Sequence, residues 1–145
     1  MEELHSALKN VLADTFIMYF KAHQFHWNVE GPNFPQYHSF LNSLYNELWA
    51  ATDTIAEHIR AIDKYAPSSL AELISASMVQ EEKTPTSTAD KGFMELISAN
   101  NMTLVSLMKA YQAADAASEV GLSNFLQDRI DIHNKHGWML KSTAK

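Results

Sequence analysis

The stretch KAHQFHWNVEGPNFPQYH, residues 21–38, places three histidines, His23, His26 and His38, and Trp27 around a Gly-Pro-Asn turn. The chain has no cysteine, so any metal it holds must rest on imidazole nitrogen and carboxylate oxygen, a mixture that suits iron. Carboxylates follow as Asp53 and Glu57, one helical turn apart and on the same side of a helix. His38, Asp53 and Glu57 would together make a reasonable iron site. Residues 38 and 53 are nevertheless separated by about 22 Å along a continuous helix, whereas ligands of one ion lie only a few ångströms apart. One copy of the chain cannot close such a site. If the same helix of a second copy crosses antiparallel near Asn46 or Glu47, His38 of one copy meets Asp53 and Glu57 of the other, and symmetry repeats the arrangement.

The elements that position these residues are all helical. Leu4, Leu8, Val11, Leu12, Phe16, Tyr19 and His23 recur at steps of three and four and predict a helix over 3–28. After the turn at 29–33, Asn33 as cap and Pro35 in the first turn open a second helix that runs to about Tyr65, where Ala66-Pro67 disfavours continuation. A short helix is expected within 68–77, inside a long connection ending in EEKTPTST. Ser87 and Asp90 resemble a capping pair for a helix reaching Ser118, and Gly121 separates it from a last helix over 123–142. The expected architecture is all-α: a four-helix bundle of ferritin-like connectivity, with a short helix in the long central crossover, forming a single domain over 1–145. Within the second helix, Leu41, Leu44, Leu48, Ala51, Ile55, Ile59 and Ile62 form the core stripe. His38, Asn42, Tyr45, Trp49, Asp53 and Ala56 form a second stripe roughly 110° away, which a lone bundle would leave wet. Two faces seeking burial again imply a partner copy.

Composition limits the alternatives. The four glycines and four prolines leave little punctuation for many strands, and 145 residues suffice for a core without staples. No basic leader precedes an apolar run at the start, and no apolar stretch spans a bilayer, so a cytoplasmic protein with no membrane partner is expected. The net charge of −6 favours cations over polyanions.

The run HWNVEGPNF, then His38, then TDTIAEHIRAI, with NFLQDRIDIHNKHGWML near the end, resembles the Dps family of mini-ferritins over essentially the whole chain. The resemblance implies a dodecameric shell, built from two-fold dimers, that oxidises ferrous iron, preferably with hydrogen peroxide. The ferric product is stored inside, which protects against oxidative damage. The resemblance further implies a ferroxidase with a di-iron site, with His26 and His38 as ligands from one subunit and Asp53 and Glu57 as ligands from its two-fold mate. Trp27 matches a tryptophan beside that site. Where the family commonly has a carboxylate, this chain has Asn42, a neutral carbonyl donor, which predicts weaker occupancy of the second iron. His58 stands where an arginine is usual.

Several residues have plainer readings. His23 is expected on a helix surface or interface and is not counted as a ligand; Trp49 and Tyr45 are interface packing. Trp27 either packs or takes up oxidising equivalents. Asp128, Asp131, His133 and His136 on the last helix suggest a solvated face, with the acids able to line an ion path. Ferritin proper carries Glu-x-x-His pairs, and the only match here, Glu2 with His5, falls at an end expected to fray. Two other functions compete. Asn42 would suit a metal-sequestering shell with weak oxidation; a DNA-coating nucleoid protein is disfavoured by the acidic balance and the lack of a lysine-rich arm.

Overall fold

The computed structural model describes residues 1–145. Helices α1 (Glu2–Asn28), α2 (Phe34–Ala61), α4 (Ala89–Ala116) and α5 (Val120–Ala144) form the bundle, and α3 (Leu70–Ala76) lies within the connection between α2 and α4. α1 packs along both α2 and α4, α5 packs along α4, and α3 rests against α1. This is the expected all-α bundle with its crossover helix. No helix is long and apolar enough to cross a membrane.

The core divides into two apolar clusters. Leu4, Leu8, Val11, Ile55, Ile59, Leu107 and Leu126 belong to the first, and Met18, Phe25, Leu41, Leu48, Phe93 and Leu140 to the second. The predicted core stripe of α2 is buried from Leu41 through Ile59. Between the clusters lie buried polar groups, among them Asp14, Asn100, Thr103, Ser106 and His133.

α1 also holds the crossover by polar clamps along its length. The Asp14 carboxyl accepts from Ser77 Oγ and Met78 N, each at 2.8 Å, and from the Ser106 hydroxyl on α4. Lys21 donates to Gln80 O at 2.8 Å and pairs with Glu82 at 2.7 Å. Gln24 donates to Thr86 Oγ1 at 3.0 Å and accepts from Thr86 N at 3.2 Å. Irregular backbone is thus paired where it runs against the bundle.

Helix ends differ from the expected ones for local reasons. α2 stops at Ala61 and not near Tyr65, because Asp63 takes a left-handed conformation (φ 60°) and Lys64 N bonds back to Ile59 O. α4 closes the same way, with Ser118 left-handed (φ 59°) and Glu119 N bonded to Ala114 O. Gly121 does not separate the helices; it sits within α5. Ser87 and Asp90 form no capping pair, since Thr88 is the N-cap of α4 and its side chain makes no cap bond. The first turn of α1 does not fray free either: Glu2 pairs with Lys64, and His5 Nε2 donates to Tyr65 O at 3.0 Å.

Gly92 shows how closely α4 approaches α1. A Cβ there would lie 2.1 Å from the Phe25 ring, which is buried and packed edge-on to Phe93 with centroids 5.2 Å apart. Gly92→Ala is expected to destabilise the fold by about 1–3 kcal/mol through overpacking. A thermal melt lowered by several degrees checks this, and an unshifted melt would contradict the packing.

Candidate metal centre

The α1–α2 hairpin creates the histidine pair. Glu30 N bonds to Ser87 O at 2.9 Å, anchoring the turn to the start of α4. Gly31 then adopts φ +127°, a backbone conformation that strains any side chain, and Pro35 enters the first turn of α2. The chain doubles back so that the last turn of α1 faces the first turns of α2. His26 and His38 consequently stack, with centroids 3.6 Å and planes 15° apart.

Their hydrogen bonds are reciprocal: His26 Nδ1 donates to His38 O and His38 Nδ1 donates to His26 O, both at 2.8 Å. A carbonyl oxygen only accepts, so each Nδ1 carries a proton and each neutral ring keeps its lone pair on Nε2. That is the tautomer a metal ligand needs, with the ring fixed through its other nitrogen. Burial pushes the His26 imidazole below its usual range; the bond to His38 opposes this and the neighbouring His38 charge adds to it. The neutral, metal-binding form is favoured.

The structure brings together His26 and His38 but not the carboxylates. Asp53 and Glu57 are exposed and further along the same unbroken α2. No three His, Asp or Glu side chains within the chain converge on a metal position. Asn42 is exposed one turn after His38, and its backbone oxygen accepts from Asn46 Nδ2. Trp27 is 56% exposed.

An aromatic layer continues from the histidines along α1 and α2. Tyr45 lies 5.1 Å from the His26 ring, and His23 stacks flat on Tyr45 at 3.8 Å. Tyr19 packs against Trp49 at 5.1 Å. Burial, with His26 nearby, lowers His23; burial and Tyr45 raise Tyr19. Trp49 stays 54% exposed beside a groove lined by Phe16, Asp53 and Ala56. Phe20, Leu70, Ile74 and Met78 are also exposed, so the apolar surface extends from α1 and α2 onto the crossover.

The reading of the last helix as a solvated face needs correction. Asp128 and Asp131 are exposed, but His133 is fully buried and His136 is largely so. His133 Nδ1 donates to Asn100 Oδ1 at 2.9 Å, and its Nε2 accepts from Arg129 at 2.8 Å. Burial foremost, then the charges of Arg129 and His136, holds His133 well below the usual imidazole range. Arg129 and His136 both reach Glu47 of α2, at 2.5 and 2.7 Å. Sequence reading missed Glu47, Arg129 and Asn100 as a network; the four-residue step from Arg129 to His133 was its only trace. His58, left without a role by the sequence, packs on Phe125 at 4.3 Å, and burial lowers its pKa.

Burial alone would raise the Glu47 carboxyl, but hydrogen bonds from His136 and Arg129, and the Arg129 charge, hold it from an ordinary 4.5 down to about 2. A carboxyl with a depressed folded-state pKa stabilises fully above its unfolded value and loses that contribution as pH falls through the folded one. Stability should therefore decline between about pH 4.5 and 2. In Glu47→Gln this acid-dependent loss should shrink, as urea unfolding across that range would reveal. Identical pH slopes in both proteins would contradict the linkage.

Comparisons with known proteins bear on the fold and the family. A ferritin-like domain covers residues 5–145, which defines the class: a ferritin-like helical bundle. Within that class the chain belongs to the Dps family. It is similar to DNA protection during starvation protein 2 of Bacillus anthracis, 32% identical over 142 residues, covering 97% of this chain and 96% of that one. It is also similar to antigen TpF1 of Treponema pallidum, 30% identical over 145 residues and covering 95% and 78% of the two chains. Among solved structures, Dps from Staphylococcus aureus superposes with a TM-score of 0.93 at 28% identity, covering 100% and 97% of the chains. A Dps structure from Vibrio cholerae, described as belonging to a broad superfamily of ferritin-like diiron-carboxylate proteins, shares the fold at TM-score 0.94 and 24% identity, over 99% and 90% of the chains.

Proposed function

We propose that this chain is a subunit of a dodecameric iron-storage shell that oxidises ferrous iron with hydrogen peroxide at sites shared across a two-fold interface. Iron is the substrate and, once ferric, the cargo. The observation that carries the reading is the reciprocal His26–His38 bond pair, which presents two Nε2 lone pairs with no carboxylate of the same chain beside them. Asp53 and Glu57 lie on the exposed aromatic side of α2, where a symmetry mate would bring them to the histidines. The apolar surface from Phe20 and Trp49 to Ile74 supports a buried dimer contact at the same place.

Hydrogen peroxide takes two electrons, one from each of two ferrous ions, and with two protons leaves as two waters, so no hydroxyl radical is released. The protein's part is to hold two ions close together on fixed donors, and the first position rests on His26, Asp53 and Glu57. The second, on His38, has the neutral Asn42 beside it. A specific observation therefore favours a second reading, a sequestering shell with weak oxidation, because a neutral amide stabilises a divalent ion less than a carboxylate does.

Anaerobic ferrous titration followed by peroxide separates the two readings. An oxidising centre gives rapid, saturable ferric formation, and a passive store gives binding without it. Asn42→Asp is expected to tighten the second ferrous ion about tenfold and to quicken oxidation. An unchanged titration and rate would remove position 42 from the metal centre.

A further inference from the structure

Tyr19 and His23 lie one turn apart on α1, and the Tyr19 hydroxyl is 2.8 Å from His23 Nδ1. A phenol is a better donor than an imidazole N–H, and an imidazole nitrogen a better acceptor than a phenol oxygen. Tyr19 therefore donates, and His23 keeps its own proton on Nε2. Alone, such a pair would be an ordinary contact between residues four apart. Here it is built into a continuous stack of rings. His23 lies flat on Tyr45 at 3.8 Å with planes 9° apart, has Trp27 at 4.2 Å, and is 6.0 Å from the ring of His26. Tyr45 is 5.1 Å from His26 as well, so Tyr19 reaches the candidate ligand through ring contacts alone.

We propose that Tyr19 is a one-electron donor for peroxide reduction at the metal centre, with His23 as the base that takes the phenolic proton. This rests on the peroxide-driven oxidation proposed above. A lone ferrous ion supplies one electron, and peroxide needs two. With Asn42 weakening the second position, singly loaded centres are the case in which another donor matters.

The step balances. Hydrogen peroxide, one ferrous ion, the Tyr19 phenol, neutral His23 and two solvent protons give a ferric ion, the Tyr19 phenoxyl radical, protonated His23 and two waters. The O–O bond breaks, iron loses one electron, and the phenol loses one electron together with the proton that crosses to Nδ1. A second ferrous ion then reduces the phenoxyl radical, and His23 returns the proton. Oxidation makes a phenol far more acidic than its ordinary pKa of about 10, so a base already in place removes the barrier of forming a charged, protonated radical.

The test mixes peroxide with protein carrying less than one ferrous ion per centre, then freezes the sample for electron paramagnetic resonance. The parent should give a phenoxyl signal, as should Tyr65→Phe, which alters an exposed tyrosine outside the stack. Tyr19→Phe, which removes only the hydroxyl, should lose the signal and release more hydroxyl radical to a spin trap. His23→Phe should lower the phenoxyl yield by about tenfold or more. An undiminished signal in Tyr19→Phe, or a parent that oxidises iron with no phenoxyl radical, would overturn the proposal. If peroxide fails to speed iron oxidation at all, the reading of the metal centre fails and the pair is judged separately with a photogenerated one-electron oxidant. Tyr19 should then be oxidised ahead of the other four of the five tyrosines, with a solvent deuterium effect that His23→Phe abolishes. Equal oxidation of all five overturns the assignment.

Discussion

Asp14→Ala is expected to lower the unfolding free energy by about 3–5 kcal/mol, the largest stability loss of any single substitution considered. Asp14 is fully buried, and its carboxyl receives the Ser77 and Ser106 hydroxyls and the Met78 backbone N–H. Truncation takes the acceptor from the Met78 N–H, leaves the Ser77 and Ser106 hydroxyls only the Val79 and Met102 carbonyls they already approach, at about 1–3 kcal/mol for each group left unpaired, and opens a small cavity. The loss is a sizeable part of the roughly 5–15 kcal/mol that holds a domain folded. It should appear as a lower urea midpoint at fixed protein concentration, because assembly also contributes to apparent stability. Asp14→Asn keeps one acceptor oxygen and should fall between. A midpoint unmoved by Asp14→Ala would mean that the crossover is held by its apolar contacts alone.

That substitution also marks the limit of what the sequence discloses. The helices were legible because burial on one face writes a period of three and four: Leu41, Leu44, Leu48, Ala51, Ile55 and Ile59 were placed in the core and are buried. The histidine pair was legible too, since His26 and His38 lie in one short stretch joined by a tight turn. Asp14 reads as an ordinary polar position of an amphipathic helix. Its partners are 63 and 92 residues away, and no local pattern announces them. His133 was misplaced for the same reason: its burial depends on Asn100 and Arg129 accepting and donating at fixed points, which only the packed bundle supplies. The end of α4 was misjudged because glycine is the usual left-handed residue, and here Ser118 takes that conformation three residues before Gly121. The acids proposed for the metal centre are legible by type, but within one chain they stay apart from the histidines, and only a second copy would bring them there.

The second large effect concerns that pairing. On the shared centre proposed above, His38→Ala and Asp53→Ala should each cost the assembled protein most of its peroxide-driven iron oxidation, since every such centre would draw on both residues. Both positions are at least partly exposed, so neither change should unfold the chain. Within one homodimer the two centres are equivalent, and a single substitution damages both. Mixing the two variants as unfolded chains and refolding them together makes a mixed dimer with one intact centre and one carrying both lesions. With random pairing about half the dimers are mixed, so roughly a quarter of the parent activity should return. Recovery near that fraction is what a centre shared between chains predicts. Activity that stays at the mean of the two variants would place His38 and Asp53 in separate roles or in one chain, and would contradict the two-fold metal centre.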